Sequence, residues 1–436
     1  MDRTEIYYRK AKELIPGVTQ LFSKRPDLFL PGLWPTFYEK AKGCEIWDLD
    51  GRKYIDMSYM GIGTCILGYA DPDVNKAVKT CIDKATATTL NTREDVELAE
   101  YLLKIHSWAD MARFARSGGE AMAIAVRIAR AFSNKEIILF CGYHGWHDWY
   151  LSANLASLKN LDGHLLPGLS PLGVPRSLKG TTSAFKYNDT KSFLKLANKF
   201  KNKIAAVVVE SIRSTNPEKE FVQTLNKVTR QQNIVLVVDE ISAGFRLNLG
   251  GAHLLFGFDP DIAVFAKGIS NGFPMAAIIG KRNIMKVAQD TFISSTNWTE
   301  RIGPVAALAT LKKMKKLGVQ KYITSNGKEI KNNWEVLALK HGLSIEVGGI
   351  DPAGHFYFKY DNALVIKTLF TQLMLEKGFL ATTALYSSYA HSKSHILRYL
   401  EAVDEVFGFI SKAIKKDNIK KYLKGDVCIS SFKRLA

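Results

Sequence analysis

The stretch Ile262-Ala263-Val264-Phe265-Ala266-Lys267-Gly268-Ile269-Ser270-Asn271-Gly272-Phe273-Pro274 decides how the rest of the chain is read. A short apolar run of strand length ends at a lysine, and a glycine-rich turn follows at once. An amine held in so dry and crowded a place is suited to attack a carbonyl and form a Schiff base.

Two apolar runs upstream have the same shape: Ala205 to Val209 stops at Glu210, and Ile234 to Val238 stops at Asp239. The separations, 29 residues from Glu210 to Asp239 and 28 from Asp239 to Lys267, match one strand-helix-strand unit of about 30 residues. Strands repeating at that interval gather all three charged groups at one sheet edge, and open α/β sheets bind ligands just beyond the carboxyl ends of their strands. One strand-end charge is as readily a solvated group as a functional one; three in register point to a site.

Composition narrows the classes. With 436 residues, 47% hydrophobic and 23% charged, the chain reads as a globular protein with one large and one small domain. The cysteines Cys44, Cys65, Cys81, Cys141 and Cys428 are odd in number, scattered and without a C-x-x-C pair, which argues against a disulfide framework or zinc site and fits a reducing cytoplasm. Met1-Asp2-Arg3-Thr4-Glu5 carries no apolar signal region and no run of about 18 apolar residues occurs, so neither secretion nor a membrane span is expected. The net charge of +18 raises a nucleic-acid reading. Its lysines are spread out, with clusters at Lys312 to Lys316 and Lys415 to Lys424 that read as solvated helix faces, and no nucleic-acid motif accompanies them. Attraction for anionic ligands, phosphorylated ones included, is the better inference.

Along the chain, a helix is expected over Thr4 to Leu14, stopped by Pro16-Gly17, then a hairpin from Glu45–Trp47 and Lys53–Ile55 around Asp48-Leu49-Asp50-Gly51. Helical and strand patterns alternate from Pro72 to Ile302, the signature of a doubly wound α/β domain with a mainly parallel sheet. Beyond Gly303 come a long helix into the Lys312 region, a strand at His355 to Tyr360 and a closing helix carrying Ile396, Leu400, Val403, Phe407, Ile410 and Ile414 at helical spacing. The domains expected are thus an N-terminal segment 1–71, a large domain 72–302 and a C-terminal domain 303–436, the two terminal segments forming a smaller α+β domain. Leu151 to Pro175 lacks periodicity and reads as a long loop, of the kind that acts as a lid.

Two further motifs carry chemistry. Ser117-Gly118-Gly119-Glu120-Ala121 lies between a short strand, Ala112 to Ala115, and a helix, Ala121 to Ala131. Bare glycines and the N–H groups of a first helical turn suit a phosphate, although a Gly-Gly turn is often only a connection. Gly142-Tyr143-His144-Gly145-Trp146-His147-Asp148 follows the strand Ile137 to Cys141. A metal site from His144, His147 and Asp148 lacks any supporting ligand cluster; a ring, Tyr143 or His144, stacking on a planar ligand is the better reading.

Taken together, Ser117-Gly-Gly-Glu-Ala, Gly142-Tyr-His-Gly, Glu210, Asp239-Glu-Ile-Ser-Ala-Gly-Phe-Arg246 and Lys267 resemble the class III aminotransferases among pyridoxal-phosphate enzymes, most closely the glutamate-1-semialdehyde aminomutase branch. The likeness includes Ala41 to Asp56 and Gly250 to Asp261. It implies fold type I and pyridoxal 5'-phosphate as cofactor. Lys267 would hold the cofactor as a Schiff base and move the proton, Asp239 would pair with the ring nitrogen, and Glu210 would line the substrate side. Ser117, Gly118 and Gly119 would bind the phosphate, Tyr143 and His144 would contact the ring, and Thr296 would reach the phosphate from a neighbouring subunit, which implies a homodimer.

The departures concern substrate. Family members often have Gly-Thr where this chain has Gly118-Gly119, and Glu-Pro where it has Glu210-Ser211. After Thr296 the aminomutase pattern Leu-Ser-Gly-Asn-Pro is replaced by Asn297-Trp298-Thr299-Glu300-Arg301, and Ser-Pro-Val-Arg near the start by Gln20-Leu-Phe-Ser-Lys-Arg-Pro26. Lys24, Arg25 and Arg246 are candidates for binding an anionic substrate group, or else surface charges or structural ion pairs. The expectation is an aminotransferase acting between an amino acid donor and a small anionic aldehyde or ketone, such as a phosphorylated or sugar-derived carbonyl for surface polysaccharide. An aminomutase is the alternative, and a regulator or binding protein that kept the fold is the non-enzymatic one.

Overall fold

The computed structural model describes residues 2–164 and 167–430 and divides into two compact units, Pro72–Gln320 and a second built from the segments up to Asp71 and from Lys321 onward. The expected loop over Leu151–Pro175 is a string of turns with short 3-10 segments at Ser152–Leu155 and Arg176–Leu178 beside it; its residues 165 and 166 lie outside the described residues.

The 72–320 unit is organised by a seven-stranded sheet in the order Met111–Ala115, Ala276–Gly280, Ile262–Phe265, Val235–Asp239, Ile204–Glu210, Ile137–Cys141, Thr182–Ala184. Ala276–Gly280 runs antiparallel to both neighbours, and every other pairing is parallel. Strands covered on both faces need apolar side chains on both, which is why Ile204–Glu210 is buried along its length until Glu210. One face is filled by Met122, Ile128, Phe140, Val208, Val237 and Ile278, the other by Leu139, Phe193, Val207, Phe221 and Leu236. The register sets Glu210 opposite Asp239 and Asp239 opposite Val264, so the three apolar runs end at one edge. Ser117 caps the helix Gly118–Ser133 through a complete capping box with Glu120. The helix Ile302–Leu317 belongs to this unit, packing on Pro72–Ile82, with Lys313 Nζ 2.6 Å from Asp73.

The other unit contains a four-stranded sheet, Tyr38–Lys42, Glu45–Asp48, Lys53–Met57 and Phe379–Ala381, and a three-stranded antiparallel sheet, Ile345–Ile350, Ala353–Phe358 and Ala384–Tyr386. The first helix, Arg3–Leu14, is capped by Asp2. The closing helix, Lys393–Lys415, buries the apolar face its spacing foretells, with Phe407 meeting Phe356 and Phe370 in a cluster around Trp334, whose Nε1 donates to Tyr399 Oη at 3.1 Å. No helix among the described residues is long and apolar enough to cross a membrane.

Candidate active site

Lys267 begins a short 3-10 turn directly after the strand Ile262–Phe265 and Ala266, and its own backbone is left-handed, with φ of +47°. A lysine in that region is strained, and such strain persists where surrounding structure enforces it, commonly at functional sites. Its Nζ lies 2.7 Å from Ser242 Oγ, a partner that motif reading did not single out.

Asp239 is buried and held from two sides. Oδ1 accepts the Ile241 N–H at 2.8 Å, and Oδ2 lies 2.7 Å from His144 Nδ1, while His144 Nε2 lies 3.2 Å from the Cys141 carbonyl. Both nitrogens of this fully buried ring therefore face oxygen, which turns it toward the carboxylate. Trp149 stacks against it with centroids 6.3 Å apart. Among the described residues, no cluster of three acidic, cysteine or histidine side chains could hold a metal ion.

Glu210 Oε2 accepts the Tyr143 N–H at 3.3 Å and lies 3.2 Å from Arg213 Nε. Burial pushes its carboxyl group above the usual carboxylate range, with Arg213 opposing that rise. Gly142, at φ of +123°, leaves room for it: a Cβ there would stand 2.5 Å from Glu210 Oε2. Tyr143 keeps its ring partly exposed at this edge, and burial raises its phenol.

At the start of the helix Gly118–Ser133 the capping box occupies the Ser117 and Glu120 N–H groups and leaves those of Gly118 and Gly119 outside the helix's own bonding. Added Cβ atoms would meet Ile241 at 2.9 Å from Gly118 and His147 at 3.0 Å from Gly119. His147 Nδ1 is buried and has no hydrogen-bond partner among the described residues. Bare backbone, two first-turn donors that no described residue takes up and a buried nitrogen without a partner among the described residues fit a phosphate group.

Thr296 is exposed on the 3-10 turn Thr296–Thr299. Arg116, just past the strand Met111–Ala115, fastens the residues behind it: Nη2 donates to the Trp298 carbonyl at 2.9 Å and the Glu300 carbonyl at 2.7 Å, and Nε lies 2.8 Å from the Glu300 carboxylate. Arg301 forms a two-pronged pair with Glu94 at 2.9 and 2.7 Å. Of the other expected substrate cations, Arg246 is buried in this unit with Nε donating to the Ser242 carbonyl at 2.7 Å. Lys24 and Arg25 lie in the second unit, Lys24 exposed and Arg25 buried with Nε donating to Asp27 at 3.1 Å.

A strand-end lysine, a buried aspartate and a phosphate-ready helix start on one edge of a mainly parallel sheet define an enzyme that depends on pyridoxal 5'-phosphate. The chain belongs to the class-III aminotransferases, whose family model matches residues 32–383. It is 29% identical over 425 residues to the 3-aminobutyryl-CoA aminotransferase of Cloacimonas acidaminovorans, covering 94% of this chain and 98% of that one. It is 31% identical over 431 residues to the glutamate-1-semialdehyde 2,1-aminomutase of Methanocaldococcus jannaschii, covering 93% and 98%. Among solved structures, the FumI protein of Sphingopyxis sp. MTA144, in a form with pyridoxal phosphate, superposes with a TM-score of 0.86 at 25% identity, covering 95% of this chain and 97% of that one.

Proposed function

We propose that this enzyme is an aminotransferase that moves an amino group from an amino acid donor to an aldehyde or ketone acceptor bearing an anionic group, rather than an aminomutase. The observation that carries the choice is the fate of the two stretches where the aminomutase pattern is lost. The segment Asn297–Arg301 is fastened in its own way by Arg116 and Glu94, and Arg25, in the stretch that replaces Ser-Pro-Val-Arg, is committed to Asp27. A phosphorylated or sugar-derived carbonyl is the acceptor class carried forward, on the strength of the +18 net charge.

Pyridoxal phosphate, when bound, supplies an aldehyde that takes up an amine and a ring that accepts an electron pair. This chain's residues do the rest. Lys267 would provide the amine that fixes the cofactor and, once released, would carry a proton between the two carbons on either side of the transferred nitrogen. Ser242 orients that amine. Asp239, steadied by His144 and the Ile241 N–H, offers its carboxylate to the ring nitrogen and keeps that nitrogen protonated. Ser117, Gly118 and Gly119, at the helix start, would hold the phosphate, Tyr143 would lie against the ring, and Glu210 would face the substrate. Thr296, exposed four residues after Phe292, which is itself 92% exposed, belongs in this reading to a homodimer contact and serves the partner's site. Five buried cysteines that form no disulfide suit a reducing cytoplasm.

The test is spectroscopic. Protein loaded with the cofactor should show a yellow band that bleaches with an amino acid donor and returns when a keto acid alone is added. Efficient return excludes a pure aminomutase, and isomerisation of one substrate with no keto acid requirement would overturn the aminotransferase reading. Replacing Lys267→Ala should abolish turnover, an outcome that a non-enzymatic role would not require.

A further inference from the structure

Arg213 stands three residues beyond Glu210, just past the point where the strand Ile204–Glu210 ends at the site edge. Its guanidinium is held from three directions. Nε lies 3.2 Å from Glu210 Oε2, Nη1 lies 3.3 Å from His164 Nδ1, and Nη2 donates to the Gly163 carbonyl at 3.1 Å. The same His164 nitrogen accepts the Gly142 N–H at 3.2 Å, so it acts as an acceptor. Burial first, and Arg213 and His144 after it, push the His164 imidazole down to about 4. It therefore stays neutral near pH 7 and adds no charge of its own.

The result is a planar cation fixed in orientation beside Gly142 and Tyr143. Its carboxylate partner, Glu210, is shared: the Oε2 that faces Arg213 Nε at 3.2 Å also accepts the Tyr143 N–H at 3.3 Å. A guanidinium carries five N–H donors in a rigid fork; with the Cys141 thiol as a fourth hydrogen-bond partner, at least one is left uncommitted among the described residues. That is the geometry with which arginine reads a carboxylate or a phosphate.

We propose that Arg213 determines specificity by binding a carboxylate or phosphate group of the substrate, with Glu210 and His164 fixing the plane of its guanidinium. This rests on the reading of Lys267 and Asp239 as the cofactor-holding pair. The competing role is purely structural: a latch that ties residues 163 and 164 to the sheet edge.

Calorimetric titration of the cofactor-loaded protein with glutarate and, in a separate run, with inorganic phosphate separates these roles, using the unaltered chain, Arg213→Ala and Arg213→Lys. At least one of the two anions should bind the unaltered protein, and which one does so names the source of the charge. Arg213→Ala should weaken that binding by about 10-fold or more, the scale of a lost charge-assisted hydrogen bond. Arg213→Lys, which keeps the charge and loses the fork, should fall between. The yellow band of the bound cofactor is recorded alongside and should persist in all three. Its absence from the unaltered protein would strike the cofactor reading and not Arg213. Failure of both anions to bind the unaltered protein, equal affinity in Arg213→Ala, or loss of the band in Arg213→Ala alone would each overturn the proposal.

Discussion

His144 Nδ1 lies 2.7 Å from Asp239 Oδ2, and both side chains are buried. The imidazole is anchored by its other nitrogen to the Cys141 carbonyl, so it can neither rotate away nor be replaced by water without leaving the carboxylate short of a partner. Removing one partner of a buried charged hydrogen bond costs about 1–3 kcal/mol. His144→Ala should therefore weaken cofactor binding by roughly 10-fold or more, with Lys267 still able to form its bond. Equilibrium dialysis of the cofactor together with the absorption spectrum reads this, and an unchanged cofactor affinity would refute a positioning role for His144.

Gly142 couples backbone geometry to Glu210. Its φ of +123° is one that L side chains rarely adopt, and a methyl group there would stand 2.5 Å from Glu210 Oε2. Gly142→Ala must then either shift the strand end or expel the carboxyl group from its place beside Arg213. The strain is on the order of 1–3 kcal/mol, so the thermal midpoint should fall and turnover should fall with it. A stable, fully active Gly142→Ala protein would mean that Glu210 has no fixed role.

These couplings also mark the limit of what the sequence discloses. Glu210, Asp239 and Lys267 are legible because buried parallel strands read as apolar runs, and a charge at the end of such a run stands out. The helix start at Ser117 is legible because a strand-like run ends there and two glycines lead into a helical pattern; the capping box with Glu120 is added by the structure. Arg213 and His164 are not. One follows Glu210 as an ordinary surface-type residue, the other lies in an aperiodic stretch, and their meeting depends on how that stretch returns to the sheet edge, which no local pattern encodes. The pair Glu240 and His253, joined at 2.8 Å with Trp108 donating to the far side of the ring at 3.2 Å, escapes sequence reading for the same reason. Strand limits also drift: His355–Tyr360 was the expected strand and Ala353–Phe358 is the one formed, because pairing with Ile345–Ile350 fixes the ends.

His164 gives a pH dependence with a definite sign. In the folded chain its imidazole is pushed down to about 4 from an ordinary value of 6.5, by burial first and then by Arg213 and His144. Between those values the unfolded chain binds a proton that the folded chain refuses, so stability is fully present above about pH 6.5, declines as pH falls toward about 4, and has nothing further to lose from this group below that. His164→Asn, which can still accept from Arg213 and Gly142, should flatten that part of the curve of thermal midpoint against pH. Parallel curves for the two proteins would show that His164 is not the group responsible.

If Thr296 serves a neighbouring chain's site, the two halves of one active centre are separable by mutation. Thr296 is exposed on its own chain, and the segment behind it is held rigid by Arg116 and Glu94. Lys267→Ala and Thr296→Ala should each be impaired as homodimers, the first without turnover and the second with weakened cofactor binding. Co-expressed with different affinity tags and purified through both, they should form a mixed dimer in which one site combines Lys267 of one chain with Thr296 of the other. That site is complete and its counterpart lacks both residues. Turnover per dimer near half that of the unaltered protein is expected, with cofactor affinity at the working site restored. If the mixed dimer is no better than Thr296→Ala alone, Thr296 acts within its own chain or not at all, and the shared-site reading fails.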